Sequence, residues 1–108
     1  MDSIQSPVFR IDSFVVPDQV RTVFLERVRA THEILRRQPG FVFDRIVERD
    51  LGDGTSRMVT IVEWSGGEAI AGAARAVKQL HAAEHFSAAD FIAANGIRPD
   101  IGIYQPVD

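Results

Sequence analysis

The sequence contains no cysteine, which excludes disulfides, thiolate nucleophiles and zinc–sulfur sites. It has a single Trp and a single Tyr. No apolar run approaches the roughly 20 residues that a transmembrane helix needs. The formal net charge of −3 gives none of the positive charge that nucleic acid or an anionic membrane attracts. The first seven residues lack the basic and apolar regions of a signal peptide. We therefore predict a cytoplasmic protein without a nucleic-acid or membrane partner.

What is present is the composition of an ordinary globular protein. Hydrophobic residues make up 45% and charged residues 25% of 108 residues, a length typical of one hydrophobic core, so residues 1–108 are predicted to form one domain. Periodicity and turn residues predict four strands, over 8–16, 41–49, 57–64 and 97–105, with a hairpin loop over 51–56. They also predict a helix over 19–37 capped by Asp18, a helix over 66–85 opened by a capping box of Ser65 and Glu68, and a short helix from Ser87.

This β-α-β-β-α-β order predicts an α+β, ferredoxin-like fold, in which a four-stranded antiparallel sheet carries both long helices on one face. The strands are nevertheless apolar on both faces. The first strand places Val8, Phe14 and Val16 on one side and Phe9, Ile11 and Val15 on the other. Because the helices cover only one face, the other is predicted to be covered by a second copy, giving a homodimer through the sheets.

The chain resembles the antibiotic biosynthesis monooxygenase domain over nearly its whole length, from about Phe9 to Tyr104. The residues that carry the resemblance are turns, caps and core positions: Phe14-Val15-Val16-Pro17, Gln38-Pro39-Gly40-Phe41, Val59 to Trp64 with Ser65 and Glu68, and Gly96-Ile97 to Gly102-Ile103-Tyr104. The resemblance implies a dimeric α+β barrel. It also implies cofactor-free oxidation of an electron-rich phenol or hydroquinone by O2, or haem degradation as in other members.

The resemblance further implies a pocket in each subunit between the helices and the sheet. It would be lined by the strand face that bears Trp64 and by the second long helix, and its predicted lining residues are Met58, Thr60, Val62, Val77 and Phe24. A small aromatic substrate and O2 would bind there, and no cofactor and no metal are expected.

Two histidines are the first candidates for catalysis. His81 and His85 are four residues apart, so on a continuous helix they share a face. Histidine suits general base catalysis because its ordinary pKa of about 6.5 is close to neutrality. The string from His81 to His85 also fits the H-x-x-E-H pattern of one group of zinc proteases. The chain is too short beyond His85 for such an enzyme, and the remaining interpretations are a base, a haem ligand or two partly exposed histidines without function.

Trp64 and Arg98 complete the predicted catalytic set. Trp64 is either a stacking wall of the pocket or simply a core residue. Arg98 either binds a developing oxyanion or belongs to a cross-strand charge ladder, with Asp100 and Tyr104 on its strand and Arg10 and Asp12 on the first strand. His32, on the first helix, is interpreted as a solvated position.

The leading hypothesis is a homodimeric, cofactor-independent monooxygenase acting on a phenolic or quinol-type molecule. A non-catalytic dimeric module for ligand binding or stress response is an alternative, and it predicts a pocket filled by the protein's own side chains. Haem binding is another, although Asp12 or Ser13 occupies the region of the first strand where haem-degrading relatives place an asparagine.

Overall fold

A computed structural model describes residues 6–107. Residues 1–5, part of the segment on which the signal-peptide prediction rests, and residue 108 lie outside that range. The elements in order are β1 (Val8–Pro17), a 3-10 turn (Asp18–Val20), α1 (Arg21–Leu35), β2 (Phe41–Asp50), β3 (Thr55–Trp64), α2 (Gly67–Ala83), α3 (Ala88–Ala94) and β4 (Arg98–Tyr104). Within the described range no helix has the length and apolar character needed to cross a bilayer. The cytoplasmic location stays a prediction.

The four strands form one antiparallel sheet in the order β2-β3-β1-β4. The sequential strands β2 and β3 form a hairpin, while β1 lies in the centre between β3 and β4. This arrangement confirms the predicted ferredoxin-like fold.

The core lies between the sheet and the two long helices, and it uses one face of each central strand. Phe14, Val16 and Met58 from the sheet pack with Phe24 and Val28 of α1, together with Ile97. A second cluster, at the other end of the same face, joins Val8, Val62 and Trp64 to Ala73 of α2. Cross-strand partners such as Val8 and Trp64 point to the same face, so alternation in the strands fixes which residues the helices bury.

The opposite face of the sheet is also apolar, as predicted. Ile11 of β1 pairs directly with Ile61 of β3, and both side chains are only partly buried. Around them lie Phe9, Val15 and Val59, which are also partly buried. Because α1 and α2 occupy the other side, no helix of residues 6–107 covers this face.

Both predicted N-terminal caps are wrong. Asp18 lies in the 3-10 turn, where its carboxylate accepts a hydrogen bond from Ser56 Oγ, and α1 begins after Val20 without a side-chain cap. The capping box is not formed either, because α2 begins one residue later than that motif requires, with Gly66 at the N-cap. The Ser65 amide instead donates to the carbonyl of Gly40, so this polar residue joins two loops.

Other local predictions are confirmed. Gly52 and Gly54 of the hairpin loop both have positive φ, as an Asp-Gly turn requires. The Ser87 side chain accepts the Asp90 amide and so caps α3.

Candidate active site

A cavity of about 560 Å³ lies between the helix-covered face of the sheet and the two long helices. A second cavity of about 230 Å³ adjoins it towards α3 and shares its polar lining. The volume of the larger cavity is typical of sites for small organic molecules. The space is not filled by the protein's own side chains, contrary to what the non-catalytic alternative predicts.

Most of the predicted pocket residues line these cavities. Thr60, Val62, Trp64 and Val77 line the larger cavity, and Phe24 lines the smaller one. Trp64 is both wall and core, because only 2% of it is exposed and its ring meets that of Phe41 edge-on at 5.9 Å between centroids.

Met58 is a correction to the predicted lining. It lies on the same face of β3 as the pocket residues, but it is 1% exposed and belongs to the core cluster beneath α1. It lines neither cavity.

The structure separates the two candidate histidines. His81 lines both cavities, but α2 ends at Ala83, and His85 lies beyond the end with φ of 53°. The Phe86 amide donates to His81 O at 2.8 Å and the His85 amide to Ala82 O at 3.1 Å, the bonds of a Schellman motif. His85 therefore turns away from the face of His81. It is exposed and lines neither cavity, so the expected pair is not formed.

Arg98 does not lie with the other candidates. It pairs with Val15, whereas Arg10 and Asp12 pair with Ile103 and Ile101. Direct cross-strand partners share a face, so Arg98 is on the uncovered side of the sheet, and Arg10 and Asp12 are on the cavity side. The predicted charge ladder between β1 and β4 is wrong, because its members lie on opposite faces of the sheet. Arg98 lines neither cavity.

Arg10 and Asp12 provide the charged floor of the cavity. Both line it, and Arg10 Nε donates to Asp12 Oδ1 at 2.7 Å. A guanidinium in a largely apolar cavity can neutralise an anionic oxygen of a ligand. Arg10 therefore has the position that the sequence interpretation gave to Arg98.

Phe86 lines both cavities beside His81. Its ring meets His81 edge-on at 5.1 Å between centroids, and the guanidinium carbon of Arg27 lies 3.8 Å above the ring centroid. Arg27 also forms an ion pair with Glu84. These contacts tie the segment after α2 to α1.

His32 is a cavity residue that sequence analysis missed. It is 4% exposed, not solvated, and it lines both cavities. Its Nδ1 lies 2.8 Å from Asp44 Oδ2. The signal was present in the sequence, because His32 continues the spacing of four from Phe24 and Val28, the other buried residues of α1.

Asp44 of β2 is held by two partners. Besides His32, it accepts hydrogen bonds from Arg36 Nε, at 3.1 Å to Oδ2 and at 3.3 Å to Oδ1. Arg36 Nη2 forms an ion pair with Oδ2 at 3.0 Å. Burial acts to raise the pKa of the Asp44 carboxyl, but the hydrogen bonds from His32 and Arg36 and the positive charge of Arg36 outweigh it, so this pKa lies below its ordinary value. Asp44 is therefore a carboxylate at neutral pH.

Within residues 6–107, no group of three or more His, Asp or Glu side chains is arranged to hold a metal ion. The polar groups that line the larger cavity include two histidines, the Arg10–Asp12 pair and Lys78, beside the aromatic wall of Trp64 and Phe86.

Solved structures of other proteins share this architecture. SnoaB, a cofactor-independent oxygenase from Streptomyces nogalater, is 24% identical over 95% of both chains, with a TM-score of 0.60. A "putative antibiotic biosynthesis monooxygenase" from Nitrosomonas europaea is 18% identical over 99% of this chain and 96% of that one, with a TM-score of 0.69. The chain has the fold of the antibiotic biosynthesis monooxygenases.

A dimeric ferredoxin-like protein from an uncultured marine organism also shares the fold, at 11% identity over 96% of this chain and 98% of that one, with a TM-score of 0.69. No family model and no curated protein matches the chain.

Proposed function

We propose that the protein is a homodimeric monooxygenase that oxidises a phenolic or quinol-type small molecule with O2 and uses no cofactor. The observation that carries this proposal is the 560 Å³ cavity, in which His81 and His32 lie with the wall formed by Trp64 and Val77. The fold shared with SnoaB supports the reaction class.

In this proposal, a histidine removes the phenolic proton of the bound substrate. The resulting phenolate is electron-rich enough to pass one electron to O2 without a metal or flavin. In an anthrone-like phenol, the keto tautomer carries the reacting carbon as a CH2 group. Recombination of the radical with superoxide forms a C–O bond, and the histidine returns its proton to the resulting peroxide. Cleavage of the O–O bond then leaves a carbonyl group and releases water, so that CH2 and O2 become C=O and H2O. The substrate supplies both electrons needed to reduce the oxygen atom that leaves as water.

The cavity surface suits each part of this reaction. The aliphatic and aromatic walls hold a flat apolar ring. Arg10, held by Asp12, places positive charge where the phenolate oxygen forms. Phe86 packs against His81 and beneath Arg27, and its apolar ring limits the contact of water with that part of the cavity.

The test is oxygen uptake by pure protein with hydroquinones and anthrone-like phenols under air. We expect oxygen uptake above the enzyme-free rate. Substitution of the histidine that acts as the general base should lower kcat by roughly 100-fold or more. The matched variants are His81→Asn, His32→Asn and His85→Asn. His85 lies outside the cavity and asparagine tolerates its positive φ, so the third variant is expected to keep the wild-type rate.

Uptake equal to the enzyme-free rate for every substrate contradicts the proposal. Saturable binding of these phenols without oxygen uptake would instead indicate the non-catalytic binding module. Activity unchanged in a double variant of His32 and His81 would remove the histidine mechanism.

Haem binding is the second candidate, because His81 lies in the same cavity as Trp64. Haem-degrading relatives place an asparagine on the first strand, whereas this chain has the ion pair Arg10–Asp12 on that strand, at the floor of the cavity. This difference argues against haem degradation. Titration with haemin distinguishes the two functions: a Soret shift that disappears in His81→Asn supports haem, and no shift supports the phenol oxygenase.

A further inference from the structure

His32 and Asp44 form a more ordered base than His81 does. The His32 ring is buried, and its Nδ1 lies 2.8 Å from a carboxylate oxygen whose side chain is 11% exposed. The His81 side chain has no hydrogen bond or ion pair among the described residues, and its ring contact is the edge-on packing against Phe86. The orientation of His32 is therefore fixed by a polar partner, whereas that of His81 is not.

The partner also sets which nitrogen of His32 carries the proton. An ionised carboxylate only accepts hydrogen bonds, so Nδ1 of His32 must be the donor to Asp44. In the neutral ring, Nε2 then has the free lone pair. No residue within 6–107 hydrogen-bonds to Nε2. Because no fully buried side-chain nitrogen or oxygen of these residues lacks a partner, the unpartnered Nε2 is not fully buried. Nε2 is thus open to the cavity that His32 lines.

Arg36 has a separate role in this arrangement. Its guanidinium is half-exposed and bonds the same oxygen, Asp44 Oδ2, that His32 contacts. Its positive charge keeps Asp44 ionised, and it holds the carboxylate from the side away from the cavity, which Arg36 does not line.

We infer that His32 is the general base for the phenolic substrate, with Asp44 as its positioning residue. The inference rests on the proposed function and names the acting group. The phenol O–H proton moves to Nε2 of His32, and the bonding electron pair stays on the phenolate oxygen. The imidazolium that forms remains in contact with the Asp44 carboxylate, which stabilises its charge, as in other histidine–carboxylate pairs.

The charged groups that face His32 come from every surrounding element. Asp44 lies on β2, Arg36 follows α1, Arg10 and Asp12 lie on β1, and Lys78 and His81 lie on α2. Arg27 of α1 lines the smaller cavity, which His32 shares. Asp44 is the group that lies within hydrogen-bond distance of the His32 ring, so its carboxylate stabilises the imidazolium most directly.

The first test does not require turnover. The chromogenic probe 4-nitrophenol absorbs differently as phenol and as phenolate. We expect the wild-type protein to bind it with the phenolate band enhanced at pH values where the free probe is mostly protonated. His32→Asn should bind it as the neutral phenol, and His81→Asn should keep the phenolate band.

Asp44→Asn should reduce the bound phenolate fraction and lower kcat at least tenfold, with a smaller change in KM. Glu33→Gln, at an exposed carboxylate on α1, is the matched control and should leave both unchanged. Nitrogen NMR of labelled histidine should show the Nδ1–H tautomer of His32 in the wild type and its loss in Asp44→Asn. A purely structural role of Asp44 would lower stability without moving this spectrum or the phenolate band.

The inference is overturned if the wild type gives no bound phenolate, if His81→Asn abolishes the band while His32→Asn keeps it, or if Asp44→Asn behaves like Glu33→Gln. Failure of the proposed function looks different. In that case the phenolate band and its dependence on His32 are retained, but no substrate supports oxygen uptake.

Discussion

The Asp44 carboxylate is the residue in which charge and burial are most closely coupled. It is 11% exposed and lies between the ring of His32 and the guanidinium of Arg36. Removal of its charge therefore leaves a buried histidine nitrogen with a poorer acceptor, which costs about 1–2 kcal/mol of stability for a charge-assisted hydrogen bond.

The stability of the protein should depend on pH through Asp44. Because its pKa in the folded state lies below the unfolded value of about 3.9, its contribution is complete above that unfolded value and is lost as the pH falls through the folded one. We expect the Tm of Asp44→Asn to be lower than that of the wild type at pH 7, and the difference to shrink as the pH falls from 5 to 2. The control Glu33→Gln should follow the wild type, and a difference that is constant with pH would contradict this.

Single residues are also where the sequence was least informative. Trp64 and His81 were predicted for the pocket and lie in it, because their strand or helix fixes their side. His32 was missed because a polar residue on an apolar helix face is ordinarily assigned to solvent, and its partner Asp44 is on another element. Arg98 was misplaced because the register between β1 and β4, which decides its face, is not encoded in either strand alone.

At the scale of elements, the connection from α1 to β2 depends on a glycine. Gly40 has φ of +88°, and a Cβ built there would lie 2.5 Å from the Cβ of Ala69 on α2. The Gly40 carbonyl also accepts the Ser65 amide at 2.8 Å. This turn thus brings α2 and the start of β2 into direct contact.

Gly40→Ala should destabilise the fold more than the same change in the hairpin loop. The left-handed conformation costs a residue with a Cβ about 1–2 kcal/mol, and forcing a methyl group into a packed contact adds about 1–3 kcal/mol. Gly52 has φ of +80°, but nothing lies within 4 Å of the position that an added methyl group would take, so Gly52→Ala should show only the first cost. Urea denaturation midpoints of the two variants measure the difference, and equal losses would mean that the contact with Ala69 is unimportant.

At the end of α2, a substitution is expected to raise stability. His85 occupies the left-handed position of the Schellman motif, where glycine is favoured. His85→Gly should therefore raise stability by about 0.5–1 kcal/mol, while Ala83→Gly, in the last turn of the same helix, should lower it by up to about 1 kcal/mol. Thermal unfolding of both variants tests this; a loss of stability in His85→Gly would show that the histidine ring makes a stabilising contact of its own.

Element order and type were predictable from the sequence, whereas the starts of the two long helices were not. Alternation and the spacing of apolar residues depend on which face is buried, and both are local in the sequence. The predicted caps of the two long helices were wrong because both residues make long-range contacts that compete with helix capping. Asp18 accepts a hydrogen bond from Ser56, and the Ser65 amide donates to the Gly40 carbonyl.

For the whole molecule, the feature that the sequence predicts best is the surplus of apolar surface on the sheet. Ile11 and Ile61 are neighbours at its centre, and the flanking Val59 and Phe9 enlarge the same patch. Burying each such side chain is worth about 1.5–3 kcal/mol. A second copy placed against this face would bury the patch on both subunits and leave each cavity, on the other side of the sheet, open to its own substrate.

The proposed dimer is tested by substituting the centre of the patch. Wild-type protein should sediment at twice the chain mass of 12.0 kDa at micromolar concentration, and Ile61→Lys should weaken the association at least tenfold, because an interface lysine must give up its hydration. Val23→Lys is the matched control: Val23 is 50% exposed and lies on α1, away from the sheet face, so its variant should remain dimeric. Val59→Thr, a milder change in the same patch, serves if Ile61→Lys does not fold. A folded wild-type monomer, or a dimer disrupted by Val23→Lys and not by Ile61→Lys, would show that the subunits do not associate through their sheets.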